Sequence, residues 1–182
     1  MLFRSMTAFQ ARIPRLSMYR GRGALNELLP FLKSTQWLVY GVFLIGYTVL
    51  LFLGQDILNY ISSNVLIGNF GLVALFSFAT FFSRWGAMSL SISNQANHVV
   101  EHINAIVVGS VFLIVSIIFY PYMGVAVFPF AILCGLIVSS PLLISQVYPT
   151  LNCGFWTYEK SVMIPALMIL VLLNLIYYMV FI

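Results

Sequence analysis

The sequence predicts an all-α membrane protein of about five transmembrane helices, with a basic N-terminal arm and a tight hairpin between the third and fourth helices. Three observations carry this reading. Of the 182 residues, 62% are hydrophobic and 7% charged, whereas a soluble domain carries about 25% charged residues, so a water-facing surface cannot be composed from this chain. Residues 103–145 form an apolar run of about twice the roughly 20 residues that one span needs. It breaks at Pro121-Tyr122-Met123-Gly124, because proline withholds an amide donor and glycine allows a reversal. Finally, Arg4, Arg12, Arg15, Arg20, Arg22 and Lys33 all precede the first span, leaving Arg84 and Lys160 as the remaining bases.

The arm comprises residues 1–35. Its first 26 residues hold five arginines and no acid, with Leu2, Phe3, Met6, Phe9 and Ile13 spaced roughly along one helical face. Such a composition matches a mitochondrial or plastid address, and an apolar h-region of the secretory kind is missing before residue 37. The expectation is an uncleaved, targeting-like arm on the basic side of the membrane, with a generic basic tail as the alternative. Residues 36–182 then form one polytopic domain. Its first span covers 37–53, with Trp37 and Tyr40 placed as an interfacial aromatic belt. The second covers 65–82, where Gly68, Gly71 and Ala74 permit close helix approach, and Ser83-Arg84-Trp85 marks its boundary. Spans three to five cover 103–120, 125–145 and 162–182.

Five spans place the arm, Arg84 and Lys160 on one side, which satisfies the rule that basic residues stay inside. That side is the matrix if the membrane is the mitochondrial inner membrane, and the cytoplasm for another organellar membrane or an endomembrane. Arg12, Arg15, Arg20, Arg22, Trp37, Arg84 and Trp85 are the candidate contacts with anionic phospholipid or with partner subunits. Nothing in the composition calls for nucleic acid.

The polar chemistry concentrates in 94–102. At helical spacing Asn94, His98, Glu101 and His102 share a face. His98-Val99-Val100-Glu101-His102 fits the H-x-x-E-H string in which two histidines hold zinc and a glutamate activates water, with Glu159 as a downstream ligand. His98 and His102 are also candidate ligands for a b-type haem or a quinone, although one helix face cannot supply both axial positions. Set beside these is the plainer assignment of boundary hydrogen bonds and no cofactor, since polar groups at helix ends cost little. Cys134 and Cys153 lack the spacing of a disulfide framework or zinc ribbon. Glu27, Asp56, Glu101 and Glu159 are far apart in sequence, so no catalytic carboxylate pair is evident.

Ser89-Leu90-Ser91-Ile92, Ala96-Asn97, His102, Gln146 and Tyr148 together resemble the proton-channel hairpin of ATP synthase subunit a. The resemblance implies a proton-channel component. The arginine that follows the first four residues in that family is Ser93 here, and a further span follows the hairpin. Separately, His102, Gly109-Ser110 and Phe112-Leu113-Ile114-Val115 are similar to a short piece of cytochrome oxidase subunit III. The leading expectation is a structural, accessory subunit of a mitochondrial inner-membrane energy-converting complex, respiratory chain or ATP synthase, not catalytic on its own. A transporter or proton-channel component and a haem- or quinone-binding anchor are the alternatives.

Overall fold

Apolar side chains recurring along helical faces, with prolines and glycines between them, give a chain of helices and no strand among the described residues. The computed structural model describes residue 7 and residues 9–61, 70–94 and 101–181. Helix α1, Ile13–Gly21, has Pro14 in its first turn, where the missing amide hydrogen breaks no helical bond. It stops before Gly23, whose φ of +68° suits a residue without a side chain. Then follow α2, Leu25–Tyr60; α3, Phe70–Asn94; α4, Glu101–Met123; a 3-10 turn, Gly124–Ala126; α5, Val127–Thr150; α6, Phe155–Glu159; and α7, Met163–Phe181.

Among the described residues four continuous helical stretches are long and apolar enough to cross a membrane: Asn26–Ile57, Phe70–Asn94, Glu101–Thr150 and Met163–Val180. The third has 50 residues, and a straight helix of that length would reach about 75 Å. Instead it folds in half at Gly124, where φ is +55°, so α4 and α5 run antiparallel. Phe119 lies 5.9 Å from Phe130 and Tyr120 lies 6.2 Å from Phe128, ring centre to ring centre. The hairpin therefore supplies two of five span-length segments among the described residues, as its Pro-Tyr-Met-Gly break predicts.

Apolar burial does little to drive helices together inside lipid, so close fit and interhelical hydrogen bonds decide the packing. In the hairpin the fit comes from Gly135. A methyl group there would lie 2.9 Å from the Val108 carbonyl oxygen and 3.1 Å from Val108 Cγ1. Helix α5 also packs on α3, which in turn meets α2 and α7. Between α2 and α7, the Tyr47 hydroxyl donates to Asn174 Oδ1 at 2.7 Å while the Asn174 amide donates to the Leu170 carbonyl at 2.8 Å. One buried cluster joins Phe9 and Leu16 from the arm to Leu32, Tyr40, Phe81, Tyr148 and Tyr158. The arm thus packs against the bundle, and the division drawn at residue 35 falls inside the continuous helix α2.

Asn94 Nδ2 donates to Glu101 Oε2 at 3.2 Å, while the shared face expected for Asn94, His98, Glu101 and His102 runs through residues 95–100, outside the described ones. One sequence expectation needs correction. The second span was expected to close at residues 83–85, yet α3 continues to Asn94. The apolar residues beyond Trp85, including Met88 and Ile92, are buried against the rest of the bundle and carry the helix on.

Candidate functional site

Glu159 ends the short helix α6 in the connection between α5 and α7, and 1% of its surface is exposed. The preceding Gly154 is extended, at φ −77° and ψ 144°, and turns the chain so that α6 lies against the bundle. There Trp85 on α3 donates its indole N–H to Glu159 Oε1 at 3.1 Å. Tyr148 on α5 donates its hydroxyl to the same oxygen, and the Met163 amide at the start of α7 also bonds the carboxyl. Three helices thus converge on one acid. The phenols of Tyr40 and Tyr158 lie within electrostatic reach of it.

Burying a carboxylate removes it from water at large cost unless it is paired or neutralised. No ion pair forms with Glu159 among the described residues. Burial accordingly pushes the Glu159 carboxyl above its usual range, and the bonds from Tyr148, Trp85 and the Met163 amide pull the other way without prevailing. Burial and then the neighbouring Glu159 charge raise the Tyr158 phenol. Burial likewise pushes the Cys153 thiol up, against the opposing influence of Lys33. Lys33 stands on the arm side of the site, with Nζ 5.5 Å from the centre of the Tyr158 ring, a distance that permits cation–π attraction.

The sequence-predicted residues divide around this centre. Trp85, expected at a lipid or partner boundary, is 3% exposed and turned inward to Glu159. Trp37 is 36% exposed and donates its indole N–H to the Ser161 carbonyl at 3.1 Å, tying α2 to the end of the same connection. Arg12 donates to Thr35 Oγ1 at 3.2 Å and lies over Phe31, and Arg15 lies over Phe31 and Tyr19. Arg20 helps line a small apolar recess with Leu16, Leu28, Leu32, Ile92 and Leu151. Arg22 is exposed and Arg84 half-buried.

His98 lies outside the described residues, and His102 is exposed at the start of α4. Among the described residues no three His, Cys, Asp or Glu side chains come together to hold a metal ion. The zinc reading of the H-x-x-E-H string depends on His98 and so lies outside the described residues. Compared with protein-family models, with curated proteins and with solved structures, the chain finds no match.

Sequence reasoning named Glu159 only as a distant metal ligand and missed its surroundings. Tyr40, Trp85, Tyr148 and Tyr158 are scattered through four segments. The available signal was local: a lone acid in the aromatic stretch Phe155-Trp156-Thr157-Tyr158 that leads into a span.

Proposed function

We propose that this chain is a structural, accessory integral-membrane subunit of an energy-converting complex of the mitochondrial inner membrane, in the respiratory chain or in ATP synthase. The observation that carries the reading is the arm. Its arginine-rich composition suits an organellar address, while Phe9 and Leu16 are wholly buried in the bundle, so the same segment also serves as a structural part. The arm, Lys33, Trp37 and the connection holding Lys160 gather at one end of the helices. This supports placing that end on the matrix side, where basic residues and anionic headgroups attract by about 1 kcal/mol per residue. Outward-facing Ile106, Leu113, Ile117 and Met179, each at least 60% exposed, offer the apolar faces that lipid tails or neighbouring subunits would cover.

A second reading, a proton-channel or transporter component, draws on the buried Glu159 and the phenols around it. Extraction of native membranes in mild detergent, followed by mass spectrometry of the particle that contains this chain, distinguishes the two. Co-migration with known energy-converting subunits is expected. Migration as a small particle of this chain alone would remove the subunit reading, and proton flux through vesicles holding the purified chain would favour the second.

A further inference from the structure

Four buried polar atoms at the arm end lack a hydrogen-bond partner among the described residues: Glu159 Oε2, Tyr158 Oη, Tyr40 Oη and Gln36 Oε1. They are not scattered. Tyr40 and Tyr158 each interact electrostatically with Glu159 and with one another, and Gln36 stands one turn before Tyr40 on α2, on the same face. Both side-chain donors that bond the carboxyl, Trp85 and Tyr148, go to Oε1. Oε2 is buried without a hydrogen-bond partner among the described residues. Buried polar groups without partners cost on the scale of a lost hydrogen bond or more, and such a cluster calls for a specific explanation.

We propose that Glu159 is a proton-binding site, carrying one proton on Oε2 at neutral pH. Protonation turns a carboxylate, which can only accept hydrogen bonds, into a neutral acid with one O–H donor. The negative charge then disappears from a buried site that holds no ion pair among the described residues and that lies in the electrostatic field of the Tyr40 and Tyr158 phenols. The bonds from Trp85 and Tyr148 to Oε1 persist in both states, so they fix the carboxyl while Oε2 does the titrating.

The groups that set the proton's affinity come from every packed element. Helix α2 contributes Tyr40 and, across the Tyr158 ring, Lys33; the α5–α6 connection contributes Cys153; α6 contributes Tyr158; and α5 contributes Tyr148. Arg84 precedes Trp85 on α3, about 100° around that helix. Lys160 follows Glu159 and is exposed. On α7 the titratable Tyr177 and Tyr178 lie near the C-terminal end, where Tyr177 contacts Phe52 and Phe70.

The linkage has a definite sign. Because the folded carboxyl binds its proton more tightly than the unfolded one, the stabilisation is fully present below the ordinary glutamic acid value and is lost as pH rises through the folded value. This inference does not depend on which complex the chain joins.

The test uses the full chain purified in detergent, compared with Glu159→Gln, a neutral isostere of the protonated acid. Infrared difference spectra between the two at neutral pH should contain the C=O stretch of a protonated carboxylic acid, present in the wild type and absent from the variant. Tyr158→Phe should shift that band. Thermal stability of the wild type should fall as pH is raised from weakly acidic to alkaline, while the Glu159→Gln profile changes less. A carboxylate stretch in place of the acid band, or parallel pH profiles, would overturn the assignment. So would a Glu159→Gln chain that fails to fold, since a neutral isostere should be accommodated. Loss of the acid band on adding sodium chloride at fixed pH would assign the site to a metal cation instead.

Discussion

At the arm end, Trp85, Tyr148 and the Met163 amide converge on a carboxyl, and Arg12, Thr35, Trp37 and Ser161 add further polar links. In the α4–α5 hairpin, by contrast, helices meet through a glycine set against the backbone of Val108. The first region is specified by which atoms must find partners and the second by which volumes fit. The difference teaches where each tolerates change. A polar network punishes loss of a donor even when shape is kept, whereas a close helix crossing punishes one added carbon even when polarity is kept.

The largest effect should come from testing whether the arm belongs to the first region at all. Leu16 is 1% exposed among Leu28, Leu32, Ile92 and Leu151. Leu16→Ala should therefore cost about 2–5 kcal/mol, the range for truncating a buried leucine. Thermal unfolding in detergent measures it, and an unchanged midpoint would detach the arm from the comparison. Next, Gly135→Val should destabilise by about 1–3 kcal/mol through overpacking. Gly109→Ala in the same hairpin should be nearly neutral, because its added methyl meets nothing within 4 Å. Equal losses at the two glycines would show that helix propensity, and not the α4–α5 crossing, sets the cost.

The smallest effect is expected at the α2–α7 clamp. Tyr47→Phe removes the bond to Asn174, and interhelical hydrogen bonds in membrane proteins average about 0.6 kcal/mol. A loss as large as that of Gly135→Val would mean that polar contacts dominate the spans as well as their arm end.

How much of this was legible depended on whether the signal was local. The hairpin could be read because its break and both apolar limbs are contiguous, and Gly124 adopts the positive φ that its position suggests. The length and apolarity of the other spans were equally local. Helix limits were harder: Trp85 sits beside Arg84 and looks like a boundary pair, yet tertiary contacts bury it and α3 runs nine residues further to Asn94. The polar face read for residues 94–102 runs through 95–100, outside the described residues. The Glu159 centre was the least readable. Its parts come from residues 40, 85, 148 and 159, and nothing in the periodicity of an apolar helix tells which tyrosine will face an acid more than a hundred residues away.

Helix α2 also works as a depth gauge. Its 36 residues rise about 54 Å along the axis, against a hydrocarbon layer about 30 Å thick, and a typical tilt of about 20° shortens that height only slightly. More than 20 Å of rod must therefore stand in the headgroup layers or beyond. Because Arg12 bonds Thr35 in the early turns of this rod, the arm is fastened near one end of that length and leaves the far turns to set their own depth.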